Sequence, residues 1–378
     1  MTRRANGRRA PRYKAVRYAV IGLGHIAQAA VLPAFGHAQR NSRLVALVSG
    51  DRIKLRALGR RYGVEQLCGY DAVDELMASG GIDAVYIALP NNMHKEFTVR
   101  AARAGLHVLC EKPMAVDARE CEQMIRAARR ANVKLMIGYR LHFERANLEA
   151  VQLARSGKLG GLRFFSSEFS MQVREDNIRL EREKGGGPLY DIGIYCINAA
   201  RYCLFEEPVE VWATAAKSRD RRFSEVDESV IGVMRFKDER LASFTCSFGA
   251  ADRSTYSVTG TRGSITLDPA YEYAEGLSYQ LKSGKRERNR KFAKSDQFAA
   301  ELLYFSDCIL NDRSPEPSGE EGLADVRVIE GMLRSTKSGR WVSVTIPPRR
   351  QRPTIRHVIR RPPVPREPRL IEAAPASQ

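Results

Sequence analysis

The stretch EREKGGGPLYDIGIYCINAARY, Glu181 to Tyr202, sets three consecutive glycines ahead of a carboxylate and a phenol four residues apart, Asp191 and Tyr195. Gly185 to Gly187 can take backbone conformations closed to other residues, so the sequence predicts a tight turn into a helix that starts near Leu189. On that helix Asp191 and Tyr195 share one face, with Asn198 a turn farther along. A phenol has an ordinary pKa of about 10 and is a poor base near neutrality; a neighbouring ammonium stabilises the phenolate and makes it a better one. A lysine facing this helix would complete a proton-transfer set. Without one, Asp191 reads as a helix cap and Tyr195 as a packed residue at a domain seam.

Lysines that a fold could bring there must come from the first half of the chain, where short apolar runs alternate with amphipathic stretches. RYAVIGLG, RLVALVSG, DAVYIALP, HVLCEKP and KLMIGYR read as strands, and segments such as EFTVRAARAG and DARECEQMIRAARRAN read as the helices between them. Repeated strand-helix-strand order implies a doubly wound parallel sheet. Its first strand runs into Gly22-x-Gly24-x-x-Ala27, the pattern of a turn that lets a pyrophosphate approach the backbone at a helix N-terminus. Strand C-termini of such sheets face a common ligand crevice. The expected cofactor-binding set is therefore Gly22, Gly24, His25 and Ile26 after the first strand; Leu89, Pro90, Asn91 and His94 after the fourth; Glu111 and Lys112 at the fifth; and Arg140 after the sixth. Lys112 precedes Pro113, which restricts the backbone that carries it.

The residue that reads the adenosine ribose falls about 20 positions beyond the glycines. Here that region is LVSGDRIKLRA, with Ser49 followed by Arg52 and Lys54. A hydroxyl and two cations suit a 2′-phosphate, so NADP is expected over NAD, although Asp51 could still reach a free ribose and Arg52 and Lys54 could equally solvate a helix.

Beyond Arg140 the pattern changes to longer strands, GLRFFSSEFSMQV, VEVWATAAKS, ESVIGVMRFKDERLASFTCSFG and STYSVTGTRGSITLDP, with helices returning near DQFAAELLYFSDCIL and GLADVRVIEGMLRSTKSG. Turns at Lys237-Asp238 and Thr261-Arg262-Gly263 predict antiparallel pairing. The expected fold is α/β: an N-terminal Rossmann doubly wound parallel sheet followed by an α+β domain with a large, mainly antiparallel open sheet. The expected domains are a basic arm over 1–17, an NADP-binding Rossmann domain over 18–140, an α+β substrate and oligomerisation domain over 141–347, and a Pro/Arg-rich tail over 348–378, extended or disordered.

Charge and cysteine usage exclude other classes. Of the net +18 carried by 378 residues, 13 sit in the two tails, so the body is close to balanced and no nucleic-acid-binding surface is expected beyond weak contacts by the tails. Seven scattered cysteines without a Cys-x-x-Cys pair, and no histidine at ligand spacing, predict neither disulfides nor a metal. The N-terminus has twin arginines but no apolar run after them, and no segment approaches the roughly 20 apolar residues of a membrane span. A cytoplasmic protein is expected, or a periplasmic one if a leader precedes this sequence.

Assembled, these blocks resemble the Gfo/Idh/MocA oxidoreductases, and within them the bacterial glucose-fructose oxidoreductases. The resemblance runs from about Tyr18 to Val344 and is carried by VIGLGHIA, ALVSGDRIKLRALGRRYGV, IDAVYIALPNNMHKEFTVRAARAGLHVLCEKPMA, LMIGYRLHFE, GGGPLYDIGIYCINAARYCLFEEPVEV and PSGEEGLADVR. It implies that Lys112 of Glu-Lys-Pro is catalytic and acts with Asp191 and Tyr195, and that Ser49 and Lys54 touch the 2′-phosphate. It also implies an open sheet that joins subunits into a homodimer or homotetramer. With hydride chemistry supplied by a nicotinamide, Tyr195 is expected as general acid/base, Lys112 as its tuning cation and substrate-hydroxyl donor, and Asp191 as a sugar-hydroxyl acceptor that offsets Lys112. Arg140 either binds sugar hydroxyls or braces the hinge. The expected reaction is oxidation of an aldose to a lactone, with NADP retained and reoxidised by a second sugar. A cofactor-releasing sugar dehydrogenase or a non-catalytic NADP-binding regulator remain as alternatives. The basic C-terminal extension lies outside the resemblance, and the segment FSMQVREDNIRLEREK differs from the family enough to leave the choice of sugar open.

Overall fold

The computed structural model describes residues 15–347, 352–365 and 368–377. The proposed arm over 1–17 lies outside these except for its last three residues. Two of those three, Val16 and Arg17, belong to the first strand, because the Arg17 amide and guanidinium are tied to the Asp83 carboxylate at 2.8–2.9 Å.

Among the described residues, six parallel strands make the first sheet: β1 (Val16–Ile21), β2 (Ser42–Val48), β3 (Gln66–Cys68), β4 (Ala84–Ile87), β5 (His107–Glu111) and β6 (Leu135–Gly138), in the order β3-β2-β1-β4-β5-β6. Strands β1, β4 and β6 are buried along nearly their whole length, as strands covered by helices on both faces must be. The order reverses between β1 and β4, and the crevice opens at that switch point.

The second sheet is mixed, with strands β7 (Leu162–Gln172), β8 (Glu210–Ala216), β9 (Ser229–Arg235), β10 (Leu241–Ser247), β11 (Gly249–Gly260), β12 (Gly263–Leu267), β13 (Ser278–Ser283), β14 (Arg286–Lys291) and β15 (Val342–Ser343). Among the described residues its order is β14-β13-β12-β11-β7-β10-β9-β8-β15, and only β7 and β10 pair in parallel. Alternate residues of β9 and β10 turn Val230, Gly232, Met234, Ala242, Phe244 and Cys246 onto the helices Ile194–Leu204 and Gly319–Ser338. The β13–β14 hairpin was not expected. RERNRK is charged along its length because it forms a sheet edge, where charge discourages pairing with another chain, and that hides it from any apolar pattern.

Buried charge joins the layers. Arg201, fully buried, meets Glu207 at 2.5 Å, Glu321 at 2.5 Å and Asp325, while Asn198 donates to Glu321 and Asp325 at 3.2 and 2.9 Å. Asn198 therefore faces this interior network and not the crevice, correcting its expected place beside Tyr195. The described part of the tail follows the body: Arg352 pairs with Glu207 at 2.8 Å and the Asp296 amide donates to the Arg361 carbonyl at 3.1 Å.

Candidate active site

The glycine turn after β1 is fixed by lack of room. Gly22 has φ +94°, and a Cβ there would lie 2.4 Å from the Ala88 carbonyl oxygen at the end of β4. Gly24 has nothing within 4 Å of where a Cβ would stand, so its backbone faces open space. Ala27 is fully buried where the following helix crosses the sheet. That helix passes through a π-turn, Ala27–Val31, before Pro33; proline has no N–H to give the regular ladder.

Gly22, Gly24, His25, Ile26, Leu89, Pro90, Asn91, Glu111 and Lys112 all line one cleft of about 1230 Å³, which continues through Arg140 to Asp191 and Tyr195. Ser49 and Lys54 line its far end. Asp51 is committed elsewhere: it caps the helix Arg52–Tyr62, accepting from the Ile53 and Lys54 amides at 2.8 and 3.0 Å, with the Lys54 ammonium at 3.5 Å. Backbone amides hold its carboxyl below the usual range, first among them that of Lys54. Two expected members fall outside the cleft lining. Arg52 is exposed on the first turn of that helix, outside the lining, while Lys54 two positions on lines the cleft. His94 is fully buried, its ring nitrogens 2.9 Å from the Pro113 and Leu89 carbonyls, so it staples the loops after β4 and β5 to each other.

A π-turn, Leu189–Gly193, leads into the helix Ile194–Leu204 and carries Asp191 and Tyr195 to the crevice. Local widening of a helix of this kind is frequent at functional sites. Lys112, whose peptide bond to Pro113 is cis, donates from Nζ to Asp191 Oδ1 at 3.0 Å and to the Asp191 carbonyl at 2.7 Å. The same Nζ lies 4.8 Å from the Tyr195 ring centroid, and the Arg140 guanidinium lies 5.0 Å from it. Arg140 is 4% exposed and is held between the Tyr195 and Tyr273 rings by Gln297 Oε1 at 2.5 Å and the Tyr271 carbonyl. Of the two roles weighed for it, these acceptors favour the brace.

Arg179 was missed by sequence reasoning. Its Nε donates to Asp191 Oδ2 at 2.6 Å, so both carboxylate oxygens of Asp191 already carry a cation. Burial raises the Asp191 pKa, but Arg179 and then Lys112 outweigh it and hold the carboxyl far below the ordinary range. Burial likewise depresses Lys112, and Asp191 together with Tyr195 and Glu111 outweighs it, so the ammonium titrates above its ordinary value. The three glycines explain how Arg179 gets there. The Gly187 amide donates to the Arg179 carbonyl at 2.9 Å, and a Cβ on Gly186 would sit 2.3 Å from that same oxygen. Gly185, at φ +78°, gives its carbonyl to the Asn91 side chain at 2.8 Å, tying the turn to the loop after β4. The one sequence signal for Arg179 was the glycine trio itself, which must fold back on some backbone segment.

Comparison with known proteins gives the family. Residues 16–139 match the profile of the oxidoreductase family with an NAD-binding Rossmann fold (GFO/IDH/MocA), and residues 147–266 match the GFO/IDH/MocA C-terminal domain. A D-xylose 1-dehydrogenase [NADP(+)] of Haloarcula marismortui is 32% identical over 330 residues, covering 85% of this chain and 91% of that protein. The chain belongs to the Gfo/Idh/MocA oxidoreductase family. Among solved structures of the family, an aldose-aldose oxidoreductase from Caulobacter crescentus complexed with glycerol is similar at TM-score 0.84 and 39% identity, over 87% of this chain and all of that one. A 3-ketoreductase from Actinomadura kijaniata in complex with NADP superposes at TM-score 0.75 with 25% identity, over 85% of this chain and 97% of that one. Family membership makes this chain a nicotinamide-dependent oxidoreductase. No helix among the described residues is long and apolar enough to cross a membrane.

Proposed function

We propose that this chain is an NADP-dependent sugar oxidoreductase that oxidises an aldose at its anomeric carbon to a lactone and, with the cofactor held, reduces a second sugar. The observation that carries the reading is the meeting of Lys112, Asp191 and Tyr195 in the same cleft as the glycine turn. The cleft also fits the dinucleotide: Gly24 leaves space against a helix start, Ser49 and Lys54 flank the far end, and the volume exceeds the roughly 300–1,000 Å³ of an ordinary small-ligand pocket. Relatives named for NADP and for aldoses support both halves of the reading.

When bound, the nicotinamide supplies the hydride acceptor and donor. Tyr195 takes the hydroxyl proton as the sugar is oxidised and returns it on reduction. Charge growing on the phenol oxygen is met by Lys112 and Arg140 across its ring. Lys112, an ammonium throughout the neutral range, donates to the reacting oxygen. Asp191 holds that ammonium in place from one oxygen and Arg179 from the other, which makes it a clamp more than the expected acceptor of a sugar hydroxyl.

Alternation between two sugars has a direct readout. Lactone formed from an aldose should exceed the NADP present only when a ketose or second aldose is added; lactone that instead tracks added NADP one for one identifies a cofactor-releasing dehydrogenase. At the far end of the cleft, Lys54→Ala should raise the KM for NADP by about 10- to 100-fold, the worth of one charge-assisted hydrogen bond. The KM for NAD should hardly move, and an equal rise for both would remove Lys54 from phosphate recognition.

We also propose that the open face of the second sheet joins two copies. Phe164, Ile231 and Leu241 stand 43–46% exposed on neighbouring β7, β9 and β10, where a monomer would leave an apolar patch in water. Ile231→Lys is expected to halve the mass measured by light scattering; an unchanged mass moves the interface elsewhere.

A further inference from the structure

Among the described residues, the C-terminal segment lies beyond the family motifs, which end near Val344, and yet touches the cleft. After Asp296 engages Arg361, the chain crosses to the Rossmann domain, where the Arg61 guanidinium donates to the Arg369 carbonyl at 2.8 Å. Gln28, fully buried in the π-turn after the glycines, grips it with both ends of its amide: Nε2 donates to the Ile371 carbonyl at 2.9 Å and Oε1 accepts from the Ile371 amide at 2.8 Å. The same Nε2 donates to the Leu23 carbonyl inside the glycine turn at 2.9 Å. Glu372, at φ +44°, a conformation glutamate rarely adopts, lines the cleft near Asp51 and Lys54, and the neighbouring Asp51 carboxylate raises its pKa. The chain then returns to the second domain, where the Arg174 amide donates to the Ala376 carbonyl at 2.9 Å and Ser377 bridges to Val173 at the end of β7.

Residues 368–377 thus span the mouth of the cleft, anchored on both lips, and Leu370, Glu372, Pro375 and Ser377 are among its walls. A segment that replaced the cofactor would fill the space. With this one in place the cleft still holds about 1230 Å³, and Gly24 still faces nothing within 4 Å. We infer that residues 368–377 are a strap that closes over bound NADP and slows its release, so that one cofactor molecule serves successive turnovers. This rests on the NADP reading above and supplies the retention that alternation between two sugars requires. The strap opens by letting go of the β7 lip, held by one amide hydrogen bond and one bridge, while Gln28 keeps its two-ended grip on Ile371.

The test is the release rate of NADPH, followed by nicotinamide fluorescence after a chase with excess NADP, which needs no sugar and no turnover. A chain ending at Glu367 keeps the Arg352 and Arg361 contacts and should release NADPH at least about tenfold faster than the full chain, since differences in affinity of this kind lie mainly in dissociation. A second variant, Val173→Cys with Ser377→Cys, places two thiols at an antiparallel bridge, within disulfide reach. Once oxidised it should release NADPH more slowly than when reduced. Equal rates in the full and shortened chains, or release from the oxidised form that is as fast as or faster than from the reduced form, would overturn the strap while leaving the cofactor reading intact. A full chain that binds no NADPH would overturn the cofactor reading and the strap together.

Discussion

Lys112→Ala is expected to lower kcat by about 10²–10³-fold, the usual cost of removing a donor aimed at developing oxygen charge. The variant should stay folded. Asp191 keeps Arg179 at 2.6 Å, so removing Lys112 does not leave a buried carboxylate without a partner, and the loss of stability should stay near about 1–3 kcal/mol. A chemical defect without unfolding is therefore the signature, read as kcat beside a thermal melt. The pair also sets a pH window. Asp191 titrates below its ordinary value, so its contribution to stability is present above about pH 4 and lost as pH falls farther. Lys112 titrates above its ordinary value, so its contribution is present below about pH 10 and lost as pH rises through the folded value. Between those limits the ion pair does not change charge, and any pH dependence of kcat/KM there comes from another group.

Tyr195→Phe should lower kcat by about 10²–10⁴-fold, the range for loss of a positioned general acid/base. The substitution removes one oxygen and keeps the ring that packs against Phe169 and Tyr271 at 5.6 and 5.8 Å and against Lys112 at 4.8 Å. NADP affinity and the melt should stay close to those of the parent. Turnover within a factor of two of the parent would instead assign the proton to Lys112 or to water, and the phenol would be left with a packing role only.

What the sequence revealed and what it hid follow from the range of the forces involved. The glycine turn, the Lys-Pro step and the Asp191/Tyr195 spacing are local constraints, and each was legible because a tight approach or a shared helix face dictates residue types within a few positions. The buried strands β1, β2, β4, β5 and β6 were legible for the same reason: burial on two faces demands apolar runs. Arg179, His94 and Asn198 depend on partners that no local pattern marks, on neighbouring segments for Arg179 and His94 and 123 and 127 residues on for Asn198. An arginine in the segment VREDNIRL has no local mark that Asp191 will meet it, and a histidine at a helix start looks the same whether it faces a cofactor or staples two loops. Arg52 and Lys54 are two positions apart, and only the Asp51 cap, which fixes the helix phase, separates the exposed one from the one in the cleft. The tail hid its contacts because Gln28 binds its backbone, and backbone recognition leaves no imprint on side-chain pattern.

The most direct measurement is the near-ultraviolet absorbance of reduced nicotinamide in the purified full-length protein, recorded as glucose or xylose is added, first with whatever cofactor the protein carries and then with NADP supplied. A rise on adding the aldose, lost in Tyr195→Phe, is the predicted result. No rise with either sugar in the presence of NADP, in a protein that binds NADP, would contradict aldose oxidation at the Lys112, Asp191 and Tyr195 cleft.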